Sequence, residues 1–142
     1  IPDEISVYEM NGPLFFGASD IIARITLTGD TKCLVLRMRG VSAIDATAMN
    51  ALEGLCDKCT ENGITVVLSH VNKQPLHAMQ KAGLYKKIGK ENFKPHITEA
   101  LARANEVIGS IANNAIAIRV NIGDMKIAIW PKNRESKQYL LI

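Results

Sequence analysis

Four groups of residues have types and spacings that could do chemistry. Cys56 and Cys59 form a Cys-x-x-Cys pair, and two thiolates at that spacing can chelate zinc or exchange disulfides. His70, His77 and His96 could offer imidazole nitrogens to a metal. Asp45 precedes Thr47 by two residues, which puts a carboxylate beside a hydroxyl at a predicted helix start. Lys81, Lys86, Lys87 and Lys90 gather around Tyr85, a basic run that could meet acidic lipid headgroups or an acidic partner.

Each group also has a plainer reading. The cysteine pair has no second pair to complete a zinc site, and both thiols fall on the apolar stripe of a predicted helix, where cysteine behaves as a small buried hydrophobe. The histidines are spread over a strand end, a short helix and a helix start, with no partner at i+3 or i+4. Asp45 is a good N-cap and complements the positive end of a helix dipole, and Thr47 in the first turn can bond local backbone. A lysine run is ordinarily a solvated face. There is no nucleophile elbow and no glycine-rich phosphate loop, and Gly12, Gly17 and Gly29 fit turns. The reading is therefore of no enzyme, no metal and no cofactor.

The elements that must position these groups belong to one domain, since 142 residues leave no room for a second core. With 47% hydrophobic and 22% charged residues the chain has the composition of a globular protein. Its 17 basic and 14 acidic residues are interspersed, with no basic stripe carrying aromatic platforms, which argues against nucleic acid. Three cysteines are an odd count for a disulfide framework and point to a reducing, cytosolic compartment. No apolar run approaches the ~20 residues of a spanning helix. The start at Ile1-Pro2-Asp3, without methionine or leader, suggests a piece of a longer protein.

Short apolar runs alternate with helical patterns, which predicts an α/β fold: a mixed sheet of four to five strands with helices packed against it. Residues 4–10 and Leu14-Phe15-Phe16, either side of Asn11-Gly12-Pro13, read as an opening hairpin. The nearly continuous apolar runs 33–38 and 65–69 read as central strands. One helix is predicted to open at Ser19 as N-cap and to carry Ile21, Ile22 and Ile25 toward Leu27. The clearest helix spans 46–62, with Met49, Leu52, Leu55, Cys56 and Cys59 repeating at three and four and Gly63 ending it. A short helix from Pro75 buries Leu76 and Met79 and stops at Gly83, and a last one runs from about Pro95 to Val107.

The segment from Val41 to Glu53, with Asp45-Ala46-Thr47-Ala48 at the helix start after a strand ending Leu36-Arg37-Met38-Arg39-Gly40, resembles the STAS signature. The run from Ser6 to Ala18, with Leu84-Tyr85 to Phe93 and Ile97 to Leu101, resembles the SulP branch of that family. The resemblance covers about the first hundred residues. It implies a STAS-like fold and a regulatory, protein-interaction domain on the cytoplasmic side of an anion transporter (sulfate, bicarbonate or dicarboxylate). The implied partner is the transmembrane transport domain of the same polypeptide, with a cytosolic regulatory protein and weak anion or nucleotide binding as further candidates. It also implies a working loop at Ser42, Asp45, Ala46, Thr47 and Ala48. In the anti-sigma factor antagonists of the family the matching hydroxyl is phosphorylated, so the alternative is a free-standing antagonist switched at Thr47. Ala46 and Ala48 depart from the Ser and Gly common there.

Residues 1–106 are thus assigned to the STAS domain and 107–142 to a C-terminal extension. Within it, 115–122 and 125–130 alternate apolar and polar residues about Gly123-Asp124, which predicts a β-hairpin that the resemblance does not account for.

Overall fold

Strands form where the chain runs apolar with no helical period, and five of the described strands pair in parallel. A computed structural model describes residues 4–15 and 17–109, and the backbone alone of 116–122 and 124–130. The elements are β1 (Ile5–Asn11), α1 (Ala18–Ala23), β2 (Cys33–Gly40), α2 (Ala46–Glu61), β3 (Thr65–Ser69), α3 (Lys73–Ala82), α4 (Leu84–Ile88), a 3-10 turn (Lys90–Asn92), β4 (Phe93–Lys94), α5 (Ile97–Ile108), β5 (Ile116–Ile122) and β6 (Asp124–Trp130). The sheet order is β4-β3-β2-β1-β5-β6. β1 to β4 are mutually parallel, β5 adds to β1 in parallel at Glu9↔Ile122, and β6 returns antiparallel to β5. The antiparallel β5–β6 pair makes the sheet mixed and agrees with the alternating pattern, although Gly123 of the expected turn and residues 131–142 lie outside the described residues.

Side chains alternate across each strand, so the two faces of the sheet carry separate cores. On one face Tyr8, Met10, Leu34, Leu36, Met38, Val66 and Leu68 pack against Ile22, Met49, Leu52, Cys56 and Met79 of the helices that follow β1, β2 and β3. On the other, Ile5, Val7, Cys33, Val35 and Val67 pack against Ala100, Leu101 and Ala104 of α5. The runs at 33–38 and 65–69 are continuous because β2 and β3 are covered on both faces. Both are inner strands, as predicted.

α2 follows the sequence closely. Met49, Leu52, Leu55, Cys56 and Cys59 are its buried stripe, and Gly63 supplies the positive φ of +69° after its last turn. Gly40 is fixed by space instead: a β-carbon there would collide with the side chain of Asn11, where β1 and β2 shift register.

Three expectations fail for identifiable reasons. There is no opening hairpin: β1 pairs with β2 and β5, and Leu14 makes only a parallel bridge to Ile44, while Phe16 lies outside the described residues. Ser19 is not an N-cap, because the chain turns helical at Gly17, where Ala18 N–H bonds the Phe15 carbonyl at 2.7 Å. The third helix starts at Lys73 rather than Pro75, and Leu76 is only half-buried. Pro75 is tolerated in that first turn because its missing N–H would have had no intrahelical partner. α4, the 3-10 turn and the two-residue β4 were not foreseen as separate elements.

Candidate interaction site

The loop from β2 to α2 is held by Leu14 on one side and by Asn72 and Gln74, at the start of α3, on the other. Leu14 clamps it by backbone: its N–H donates to the Ala43 carbonyl at 2.8 Å and its carbonyl accepts from Asp45 N–H at 3.0 Å. Gln74, at the start of α3, accepts from Ile44 N–H at 2.9 Å and donates to the Ile44 carbonyl at 3.3 Å. Asn72 donates its amide to the carbonyls of Arg39 and Val41 at 3.0 and 2.7 Å. Val41 and Ile44 sink into the core below. A segment with so many backbone groups satisfied by distant partners is preorganised, not a floppy connection.

At the end of this loop Asp45 caps α2. Its backbone is extended, at φ −92° and ψ 176°, and its Oδ1 accepts from Ala48 N–H at 2.8 Å. The predicted site residues then divide. Ser42, Ala46 and Thr47 are exposed, Asp45 is half-buried, and Ala48 is fully buried against the core. Ala48 therefore supports the loop from beneath and cannot touch a partner. Phe15, next to the clamping Leu14, is 48% exposed, the one large hydrophobic residue so exposed among those described. Asn72, Gln74 and Phe15 were missed from sequence. Phe15 sat within an apparent strand, and the two amides carry no local signal because their partners lie about 30 residues away.

The basic run is regrouped. Lys81, Lys86, Lys87 and Lys90 are all exposed, on α3, α4 and the 3-10 turn. Lys87, however, bridges Asp57 at 2.5 Å and Glu53 at 3.3 Å, and those bonds push its pKa up. It straps α4 to α2, which leaves Lys81, Lys86 and Lys90 as the basic surface.

All three cysteines are buried free thiols, as predicted for Cys56 and Cys59. Burial pushes Cys33 and Cys56 up to about 12 and Cys59 up to about 11, with the neighbouring Cys59 and Asp57 adding to the shift at Cys56. Thiols held protonated are poor nucleophiles and poor ligands at neutral pH. Among the described residues no three His, Cys, Asp or Glu side chains are grouped to hold a metal ion. The histidines are not all scattered: strand pairing at the sheet edge brings the rings of His70 and His96 to 6.2 Å, while His77 stays apart and exposed on α3. A cavity of about 330 Å³ between the end of α2, the start of β3 and α4 opens by the amino end of β3, whereas the loop follows the carboxyl end of β2. No helix among the described residues is long and apolar enough to cross a membrane.

The STAS domain family matches residues 1–100. YvdB of Bacillus subtilis (strain 168), whose name assigns it to sulfate transport, is 31% identical over 98 residues. That match takes in 67% of this chain but only 18% of YvdB. A sulfate transporter family protein from Wolinella succinogenes superposes with a TM-score of 0.67 at 36% identity, over 76% of this chain and 90% of that one. The STAS domain of a SulP transporter from Vibrio cholerae gives 0.63 at 31% identity, over 76% and 86%.

Proposed function

Because the chain belongs to the STAS domain family, we propose that it is the cytoplasmic regulatory and protein-interaction domain of a SulP-type anion transporter, with no catalytic chemistry of its own. The transported ion falls in the class of sulfate, bicarbonate or dicarboxylate. The main partner is the transport domain of the same polypeptide, and a cytosolic regulator is the second. One observation carries this reading: the β2–α2 loop is locked from Leu14, Asn72 and Gln74, yet presents Ser42, Ala46 and Thr47 to solvent beside an exposed Phe15. Preorganised exposed loops bind without first losing entropy, and an exposed aromatic is the usual anchor of such a surface.

A phosphate on Thr47 would set nearly two negative charges against the Asp45 carboxylate, so modification there weakens binding unless the partner is basic. The test measures association with the isolated transport domain for Thr47→Glu, Thr47→Val and Phe15→Ala, each checked for parental unfolding. The expected result is loss of about ten-fold or more in affinity for Thr47→Glu and Phe15→Ala, with Thr47→Val near the parent. Parental binding by both Thr47→Glu and Phe15→Ala would move the interface to the Lys81, Lys86 and Lys90 surface. Tight binding of a kinase that phosphorylates Thr47, with none of a transport domain, would favour the free-standing antagonist.

A further inference from the structure

Sheet register lines up four polar residues across the carboxyl ends of the strands. Glu9 stands beside Arg37, Arg37 beside Ser69, and Ser69 beside Lys94. Residues in register share a face, and the preceding residues of that face, Val7, Val35 and Val67, belong to the core under α5. With strands about 5 Å apart, Arg37 and Lys94 flank Ser69 from its two sides.

Ser69 is completely buried, and its hydroxyl has no hydrogen-bond partner among the described residues. Folded proteins rarely leave such a group unpaired, and an unseen ligand or ion is one of the standard explanations. Among the described residues the Arg37 side chain makes a single contact, Nη1 to Glu9 Oε2 at 3.3 Å, which leaves most of its N–H donors without a partner there. Lys94 makes no ion pair among the described residues. The N-terminus of α5 is not the attraction here. The Glu99 carboxylate, held low mainly by backbone N–H groups at that helix end, already occupies it.

We propose that this row binds a small tetrahedral oxyanion, whose oxygens accept from the Ser69 hydroxyl between the Arg37 guanidinium and the Lys94 ammonium. The guanidinium fork matches two oxygens of such an anion, the ammonium supplies an adjustable point charge, and the hydroxyl gains the acceptor it lacks. With Glu9 counted, the row carries one net positive charge, which suits weak, reversible and salt-sensitive binding. The site lies on the α5 face of the sheet, whereas α2 packs on the other, so it does not depend on the proposed use of the Thr47 loop.

Sodium sulfate is titrated into the 142-residue chain at an ionic strength held constant with sodium chloride, following backbone amide and arginine side-chain NMR signals and the melting temperature. Saturable shifts at Arg37, Ser69 and His70 are expected, with Ser69→Ala and Lys94→Gln each weakening binding about ten-fold. Ser69→Ala should also melt higher than the parent without sulfate, because it removes a buried unpaired hydroxyl, and should lose the rise in melting temperature that sulfate gives the parent. The proposal is overturned by shifts that never saturate, by saturable shifts confined to other residues, or by a Ser69→Ala variant that binds sulfate as the parent does.

Discussion

The two ends of α2 carry the two motifs that most invite a chemical reading, and the fold treats them in opposite ways. At its start, Asp45 and Thr47 look like ordinary capping residues, yet the chain anchors the preceding loop with three residues from two distant segments and leaves Thr47 in solvent. Toward its end, Cys56 and Cys59 look like a metal or redox pair, yet both are buried among Leu52, Val66 and their neighbours. Residue types suggest chemistry, but solvent access and the freedom to change charge decide it. Burying a thiol penalises the thiolate, while locking a loop lowers the entropic cost of meeting a partner.

The sharpest way to break this contrast is at the cysteines. A thiol raised from 9.0 to about 12 has about a thousand-fold less thiolate at neutral pH, so Cys33 and Cys56, buried as well, should react with a thiol reagent far more slowly than a free cysteine. Rapid labelling of the native chain would place that face in solvent. The same shifts fix a pH dependence. The folded pKa lies above the unfolded one, so this stabilisation is fully present below pH 9 and is lost as pH rises toward about 12. A Cys56→Ala variant should show a shallower loss of stability over that window.

The core beneath both ends comes next. Leu52 is completely buried at the middle of the helix, and Leu52→Ala should cost about 2 to 5 kcal/mol in denaturant unfolding. A cost near zero would contradict the packing of α2 on the sheet. Gln74→Ala should cost less, about 1 to 3 kcal/mol, because it strips both the N–H and the carbonyl of Ile44 of their side-chain partner. It sharpens the comparison further by freeing the loop: faster amide exchange at residues 42–45 with unchanged exchange at Cys56 and Cys59 is the expected signature.

The α2 periodicity made one end of this contrast legible, because five apolar residues at spacings of three and four can only be a buried stripe. The inner strands were legible for a similar reason, since burial on both faces leaves no alternation to misread. What could not be read was anything settled between distant segments. Leu14 follows a turn and precedes two phenylalanines, a convincing hairpin strand, but its backbone groups go to residues 43–45. Gln74 and Asn72 look like exposed polar residues at a helix start, and only the fold shows their amides reaching back to the loop. The row Glu9, Arg37, Ser69 and Lys94 exists only through register, which no spacing along one strand encodes.

The smallest effect is expected at Asp45 itself, and it separates the two roles that residue could have. Its Oδ1 caps α2 through Ala48 N–H at 2.8 Å, and loss of such a cap in Asp45→Ala should cost about 1 kcal/mol. Asn is as good an N-cap as Asp, so Asp45→Asn should keep that bond and stay within about 0.5 kcal/mol of the parent, the remainder being the lost attraction of a carboxylate to the helix dipole. If Asp45 serves only the helix, Asp45→Asn binds every partner as the parent does. If its charge is part of the contact surface beside Thr47, Asp45→Asn keeps its stability while affinity for the transport domain changes, and the effect shrinks as salt is added. Equal stability losses in Asp45→Ala and Asp45→Asn would show instead that the charge, rather than the capping bond, holds this end of the helix.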